Sequence, residues 1–324
     1  MKKDTTRILV ELGCHVSLLL GGTLLFLLNS HWLLQGLGAF LAAVGCVGIG
    51  SNTHTSSHFA TGRSPKLNRR LTHFGYGFCL GYPAVFWWAD HCKGHHAGPN
   101  VLGIDDDFDY APIFAIDKDT IAATTGWKRW YYEKAQWLFL LITLPLNAFN
   151  LQRHGVEYLV AQWRENPKKR RELMPDIWCM AAHFMVFLVI PSMFFPVSHV
   201  VALYILRMVM LGIGLFIILG PGHFPVEAPL LTQDRAREMG WVASQTITTV
   251  NYNGGFFFKW LASGLGYQIE HHLFPDVSHS YYPKIAPYVE AFCKEHNLVY
   301  RSYSLRRALY ESIKVFHFPK STLS

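Results

Sequence analysis

Charged residues are scarce in this chain. They make up 16% of its 324 residues, whereas hydrophobic residues make up 51%. Soluble domains ordinarily carry about 25% charged residues, so this deficit argues against an ordinary soluble domain. The six cysteines include no CxxC pair, which gives no indication of a disulfide framework. Internal repeats and low-complexity linkers are missing too, and we therefore expect one integrated domain over residues 1–324.

Long apolar runs are present instead. Four of them, each about 20 residues long, are sufficient to cross a bilayer. They cover residues 8–28, 32–50, 177–197 and 199–220. Two shorter apolar stretches, 74–88 and 135–150, are near the length of re-entrant or interfacial segments. The sequence thus predicts an all-α integral membrane protein with four transmembrane helices in two hairpins and additional interfacial helices.

Lysine and arginine are missing from the two short linkers, 29–31 and 197–199, whereas the N-terminal segment, residues 168–171 and the last 50 residues are basic. The positive-inside rule then places both termini and the long segments in the cytosol. The net charge of +7 favours contact with anionic membrane lipids. We expect no nucleic-acid partner, because no recognition motif accompanies the charge.

Histidine is the most informative residue that the chain does contain. Neutral imidazole is a common metal ligand, and seven clustered imidazoles are too many for one tetrahedral zinc ion. The clusters therefore indicate two metal ions in one site. They consist of His54 with His58, of His91 with His95 and His96, and of the adjacent pair His271 and His272.

The spacing within each cluster predicts its local geometry. His54 and His58 are four residues apart, so they share one face of a helix that extends the second span. The middle cluster suits an i,i+4 pair, His91 and His95, with His96 turned toward a second metal. In the last cluster, His271 and His272 are adjacent in sequence, as His95 and His96 are.

Parity of membrane crossings constrains the remaining segments. Three clusters that build one site must lie on the same side of the membrane. The stretch 74–88 therefore does not cross, and 135–150, the shortest candidate between the second and third clusters, lies in the interface. A cytosolic cap formed by residues 51–134 and 221–324 is expected to hold the metals.

His223 is an eighth candidate ligand, because it directly follows the fourth span; an interfacial histidine without a metal is the alternative. Gln268, three residues before His271, is expected as a weak ligand or as a hydrogen-bond donor behind the ligands. Metal-bound imidazoles commonly donate their second N–H to a carboxylate. The acidic candidates for that role are Asp90, Asp105–Asp107, Asp109 and Glu270, although the acidic run is equally compatible with a solvated loop.

The chemistry of the site favours iron. The segment from His54 to His58 lacks the glutamate of a zinc-protease HExxH helix. An all-histidine, carboxylate-poor pair of metals facing a membrane indicates redox iron, because iron with O2 attacks unactivated C–H bonds and a bilayer supplies acyl chains.

These clusters resemble the three histidine boxes of the membrane fatty acid desaturases, which are integral-membrane di-iron enzymes. The resemblance covers about residues 35–300. The segment QIEHHLFP at 268–275 is similar to box three of the front-end acyl desaturases, in which glutamine replaces the first histidine. Further matching positions are Gln245, Thr249, Asn251, Gly264, Tyr282, Pro287 and Tyr300.

The resemblance implies two iron ions, O2 as co-substrate and a cis double bond placed in a fatty acyl chain. It assigns the ligand role to His54, His58, His91, His95, His96, His223, His271 and His272. The acyl carrier stays open between a lipid, coenzyme A and an acyl carrier protein. We expect electrons from a separate ferredoxin or b-type cytochrome.

Several residues near the histidine boxes allow more than one interpretation. Asn251 is expected behind the ligands. Trp87 and Trp88 fit an interfacial anchor or a wall of the acyl tunnel. Arg207 lies inside the fourth span, where a charge is costly and often functional. It is expected to hold a carboxylate or water, or to reach a neighbouring carbonyl.

Two departures from the pattern of the front-end desaturases leave other functions open. Box two is His-x3-His-His, with Cys92 as the additional residue, and this version also resembles membrane alkane hydroxylases. Thr55 stands where box one often has aspartate. A di-iron hydroxylase or an acetylenase is therefore the alternative. A histidine-rich metal sensor or transporter fits less well, because the clusters lie outside the spans.

Overall fold

The computed structural model describes residues 3–105 and 112–324, and helices dominate both ranges. The helices are α1 Thr5–Leu27, α2 Trp32–Ser57, α3 Pro65–Thr72, α4 Ala84–Trp87, α5 Lys118–Ala122, α6 Gly126–Lys134, α7 Gln136–Glu165, α8 Arg170–Phe184, α9 Ile190–Ser192, α10 Val197–His223, α11 Gln233–Met239, α12 Trp241–Thr248, α13 Phe256–Leu261, α14 Gln268–Leu273, α15 Tyr282–Glu295 and α16 Leu305–Lys314. The strands are β1 Leu230–Leu231, β2 Asn251–Asn253, β3 Ser302–Ser304 and β4 Thr322–Leu323.

Among the described residues, four helical segments are long and apolar enough to cross a membrane. They are Thr5–Leu27, Trp32–Ser57, Pro167–Ser192 and Val197–His223, and each overlaps one predicted span. The prediction of four spans is confirmed. The second helix continues seven residues past the apolar run that predicted it, through the buried polar segment Ser51–Ser57, and two of its hydroxyls donate to carbonyls of the same helix, Ser51 to Val47 and Thr53 to Ile49.

The two shorter apolar stretches differ from each other. Residues 74–88 form no long helix: π-helical turns over His73–Leu80 end at Gly81, and the four-residue α4 follows. Gly81 has φ 83° and lies so close to Gln152 and His183 that a Cβ would fall within 2.5 Å of both side chains. The stretch 135–150 is the first half of α7, whose 30 residues continue through Pro145 to Glu165. The interfacial position of this stretch stays a prediction.

The chain packs as two compact units. Unit 1 comprises residues 1–89, 144–215 and 260–263, and unit 2 comprises residues 90–143, 216–259 and 264–324. In unit 1, α1 and α2 pack closely through small residues: a Cβ on Gly22 would lie 2.4 Å from the backbone nitrogen of Ala42. Small residues at such crossings let membrane helices approach each other closely.

Unit 2 combines short helices with two parallel two-stranded sheets, β1 with β4 and β2 with β3. The first pairs Leu230 with Thr322, and the second pairs Asn251 with Ser302. These pairings bring the segment 315–324 and the segment after α15 back to the region that carries the histidines. The short α14, with its adjacent histidines, is almost completely buried in this unit.

Candidate metal centre

The first histidine cluster lies in unit 1 at the end of α2. His54 is buried and His58 is half-buried, and their ring centroids are 4.9 Å apart. The two side chains lie on one side of the helix, as their spacing of four predicts. Ser57 donates its hydroxyl to the carbonyl of His54 at 2.7 Å, which helps to hold the helical end that carries the pair.

The other histidines form two groups in unit 2. In the first group, ligand nitrogens of His91, His96 and His271 lie within 4.8 Å of one another. The Nε2 atoms of His91 and His96 are 3.2 Å apart. The expected pairing of His91 with His95 is therefore wrong. Residues 88–94 form π-helical turns, in which residues five apart meet, so His91 is brought to His96 instead.

The second group contains His95, His223 and His272, whose ligand nitrogens also lie within 4.8 Å of one another. The Nε2 atom of His223 is 3.3 Å from Nε2 of His95 and 3.2 Å from Nε2 of His272. All three residues are buried. The adjacent histidines 271 and 272 belong to different groups, as do 95 and 96.

These distances are compatible with nitrogens that share a metal ion. Two ligands about 2.0–2.1 Å from a metal, at angles between 90° and tetrahedral, lie about 2.8–3.4 Å apart. The observed Nε2 separations of 3.2 and 3.3 Å lie inside this interval. A donor set of imidazoles in a buried position fits iron, copper or zinc. The residues present therefore fit a transition-metal centre.

Hydrogen bonds fix the orientation of three of these rings. The Nδ1 atom of His95 lies 2.9 Å from Oδ2 of Asp105, and that of His272 lies 3.1 Å from Oε1 of Gln245. Both oxygens accept, so we assign the ring proton to Nδ1, which leaves the Nε2 lone pair facing the group. The third ring, that of His271, places Nδ1 3.2 Å from the hydroxyl of Tyr282. Converging lone pairs repel each other unless a cation lies between them.

Asp105 is an acidic residue that contacts a ligand candidate, His95. Burial alone would raise the pKa of this carboxyl, but the attraction of His95 and the hydrogen bonds from His95 and from the backbone N–H of Asn100 lower it below its usual value. A carboxylate that stays ionised strengthens the basicity of the imidazole it accepts from. The other acidic residues predicted in this run, Asp106, Asp107 and Asp109, lie outside the described residues.

Gln268 faces the second group. Its Nε2 donates to the carbonyl of Leu265 at 2.8 Å, which turns Oε1 toward His223, 3.1 Å from the Nε2 of that ring. An amide oxygen is thus presented where the imidazoles converge. Gly222 makes this approach possible, because a Cβ at that position would lie 2.6 Å from Cγ of Gln268.

Glu270 and Asn251 contact each other rather than a ligand ring. The Glu270 carboxylate accepts from Asn251 Nδ2 and from the Tyr300 hydroxyl, each at 2.8 Å. Burial raises the pKa of Glu270, which these two hydrogen bonds oppose. Asn251 also accepts the backbone N–H of Ile269 at 2.8 Å, so it holds the first turn of α14. Asp90, the remaining acidic candidate, is half-buried.

The residues predicted for the acyl tunnel lie in unit 1. Trp87 donates its indole N–H to the Ser57 hydroxyl at 3.0 Å, and Trp88 donates to the Ser57 carbonyl at 3.1 Å. Both therefore brace the end of α2. The guanidinium carbon of Arg207 lies 4.2 Å from the ring centroid of Phe187. Arg207 is buried, and its Nε and Nη2 contact no hydrogen-bond acceptor in the described parts of the chain. The tunnel role stays a prediction.

Sequence reasoning predicted the Asp105 carboxylate beside His95 but missed most of the other groups behind the candidate ligands. Gln245 and Tyr282 were recognised only as positions that carry the resemblance. Asn100 was not singled out for a structural role, although it donates to the His223 carbonyl at 3.1 Å. Lys320, which donates to the same carbonyl, gave no signal at all. A polar residue in a hydrophobic surrounding is a weak signal by itself, because its partner is distant in sequence.

Comparison with known proteins agrees with the geometry. The family model described as fatty acid desaturase matches residues 30–304. A fatty acid desaturase 2-like protein of Mus musculus is 26% identical over 88% of this chain and 56% of its own length. Fatty acid desaturase 3 of Homo sapiens is 26% identical over 90% of this chain and 62% of its own length. The Delta(8)-fatty-acid desaturase of Euglena gracilis is 26% identical over 87% and 67%.

The chain thus spans less than two thirds of the length of the human and mouse relatives. The match nevertheless covers most of this chain and includes all three histidine clusters and His223. The four helices that are long and apolar enough to cross a membrane and the paired histidine groups fit the same assignment. The chain belongs to the fatty acid desaturase family.

Proposed function

We propose that this protein is an O2-dependent desaturase that places a cis double bond in a fatty acyl chain, using two iron ions. The observation that carries the proposal is the convergence of two three-histidine groups in unit 2, each with Nε2 atoms 3.2–3.3 Å apart. The relatives named as fatty acid desaturases support the choice of substrate.

The proposed ligands are the eight histidines of the resemblance. One iron takes His95, His223 and His272, and the other takes His91, His96 and His271. His54 and His58 are assigned on the resemblance of box one and on their shared helical face. Gln268 is proposed as an additional oxygen ligand or as a donor to one. The set contains no aspartate or glutamate ligand among the described residues, which distinguishes it from carboxylate-rich iron sites.

When bound, iron would supply O2 activation and the abstraction of hydrogen from adjacent acyl carbons. The chain's own residues prepare for this chemistry. Asp105 and Gln245 fix the ring protons of His95 and His272 on Nδ1, so that each Nε2 stays free of a proton. Burial of these rings excludes water, which protects reactive species from unproductive reactions.

Further features of the proposal concern partners and orientation. The acyl group is carried by a lipid, by coenzyme A or by an acyl carrier protein. Two electrons come from a separate ferredoxin or b-type cytochrome. The basic segments support a cytosolic position for both termini and for the metal centre. We propose a single desaturase-like domain in which the segments 51–134 and 221–324 form the cytosolic cap.

The test is expression of the full chain in a host with a suitable reductant, followed by mass spectrometry of the acyl chains. New double-bond isomers, absent from cells that express His272→Ala, are the expected result. Hydroxylated chains or triple bonds would favour the hydroxylase or the acetylenase instead. Unchanged acyl chains, in cells where the chain is iron-loaded and reduced, would contradict the proposal.

A further inference from the structure

Lys320 is completely buried, although lysine almost never is unless its charge is paired. It lies in unit 2, beyond the residues 30–304 that match the family model. Its ammonium donates to the carbonyl of His223 at 2.5 Å and to that of Ala228 at 2.7 Å. The first of these carbonyls belongs to a proposed iron ligand, so the contact links a distant segment to the metal centre.

The carbonyl of His223 lies at the C-terminal end of α10. The last carbonyls of a helix have no partner within the helix, and the helix dipole favours a cation there. Asn100 donates to the same two carbonyls as Lys320, at 3.1 Å each. One residue earlier, the Gly222 carbonyl accepts the backbone N–H of Val250 at 2.9 Å. Two successive carbonyls are thus held, which fixes the peptide planes on both sides of the His223 side chain.

Lys320 is itself held by backbone contacts on both sides. Its N–H donates to the carbonyl of Ile116 at 2.7 Å, and its carbonyl accepts the N–H of Lys118 at 3.0 Å. Two residues later, β4 pairs with β1. Four residues earlier, Phe316 packs its ring against Phe224, which directly follows His223, with centroids 5.9 Å apart. These contacts fix the backbone around Lys320, so little backbone conformational entropy is lost when its ammonium binds the His223 carbonyl.

We propose that Lys320 is a positioning residue of the metal centre, which fixes the backbone of His223 so that its Nε2 meets those of His95 and His272. This inference rests on the proposed function, because it takes these three histidines as iron ligands. Lys320 adds a hydrogen bond of 2.5 Å to the 3.1 Å bond from Asn100, so the His223 carbonyl is held more firmly than by the Asn100 amide alone. The segment 315–324 thereby becomes part of the metal centre although it supplies no ligand.

The test compares K320M with K118M in the full chain, purified in detergent, freed of metal and titrated with Fe²⁺. Methionine keeps the length and packing of the lysine side chain and removes its charge and donors. Lys118 is the matched control, because its ammonium contacts the same segment through Ser321 at 3.0 Å but does not reach His223. We expect K320M to weaken the binding of one iron by about 10–100-fold, as is typical for a group behind a ligand. K118M is expected to bind both irons like the wild type.

Three measurements separate positioning from mere support of the fold. The thermal unfolding of metal-free K320M is expected to stay close to that of the wild type, because an isosteric apolar side chain replaces a buried charge. The second variant, K320Q, restores N–H donors and is expected to recover part of the lost Fe²⁺ affinity; it carries the test if K320M does not fold. Co²⁺ loaded in place of Fe²⁺ is expected to show an altered visible spectrum in K320M only.

Equal Fe²⁺ affinities of both sites in K320M and in the wild type would overturn the role of Lys320 and leave the proposed function intact. Loss of affinity together with unfolding, without any rescue by K320Q, would also overturn it, in favour of a structural role. A wild-type chain that binds no iron would instead contradict the proposed function itself.

Discussion

Each of the two units of this protein contains a deeply buried histidine, and the two side chains have very different hydrogen-bonding surroundings. In unit 1, His183 has a partner for both nitrogens: Nδ1 lies 2.8 Å from the Phe78 carbonyl and Nε2 lies 2.9 Å from the Tyr204 hydroxyl. In unit 2, Nε2 of His223 faces the Nε2 atoms of two other imidazoles. A donor and an acceptor satisfy the first ring completely, whereas two imidazole nitrogens and the Gln268 Oε1 all converge on a single nitrogen of the second ring.

We take this difference to distinguish a structural histidine from a proposed metal ligand. Burial is complete or nearly complete in both cases, so burial does not distinguish them. What distinguishes them is the direction of the partners: hydrogen-bonding groups surround His183, whereas Asp105 and Gln245 lie behind the neighbours of His223 and turn their nitrogens inward. The predictions below test this comparison.

The largest effect is expected when a converging ring is removed. We expect His223→Ala to lower the proposed desaturase activity by more than about 100-fold, beyond the loss typical of groups behind the ligands, and to lower bound iron toward one per chain. Iron content and product analysis measure this. The control is His199→Ala, which removes a histidine from the same helix, where it contacts Gln35. Similar iron content in the two variants would remove His223 from the ligand set.

The next effect concerns the carboxylate behind His95. Asp105→Asn keeps an acceptor but removes the charge that supports the Nδ1 proton. We expect Fe²⁺ affinity to fall by about tenfold, at the lower end of the range for such partners. The control is Asp234→Asn, at an exposed surface ion pair with Arg237, which is expected to change nothing. If the two variants bind Fe²⁺ with the same affinity, the charge behind His95 is irrelevant.

A smaller effect is expected at the neutral partner of His271. Tyr282→Phe removes the hydroxyl that lies 3.2 Å from Nδ1 and keeps the ring that packs in the core. A neutral hydrogen bond contributes about 1 kcal/mol, which corresponds to about fivefold in affinity. An Fe²⁺ titration measures this loss. A loss larger than that of Asp105→Asn would reverse the ranking of charged above neutral partners.

No loss of iron is expected when the histidine of unit 1 is changed. His183→Leu leaves the Phe78 carbonyl and the Tyr204 hydroxyl without their partner, which costs about 1–3 kcal/mol of stability. Thermal unfolding is expected to shift downward while the iron content stays at the wild-type value. Iron loss in the folded variant would show that burial and hydrogen bonding of a histidine do not separate the two roles.

Much of the fold and part of the site could be predicted from the sequence. Apolar runs of about 20 residues predicted the four spans, because the bilayer thickness fixes their length. The spacing of His54 and His58 predicted their shared face, because α-helical geometry holds there. The spacing of His91, His95 and His96 misled, because residues 88–94 form π-helical turns that no residue type signals.

Groups distant in sequence could not be predicted at all. Lys320 reaches a carbonyl 97 residues earlier in the chain, and Gln245 reaches His272 across 27 residues. Such contacts depend on the path of the whole backbone, which no local sequence pattern predicts. The proposed ligands could be recognised because histidines cluster in the sequence, whereas Gln245 and Lys320 occur singly.

The metal content of the purified wild-type chain tests the central claim most directly. We expect about two iron ions per chain, one for each of the three-histidine groups in unit 2. A chain that is folded and fully loaded with zinc alone, and that takes up no iron under reducing conditions, would contradict the account.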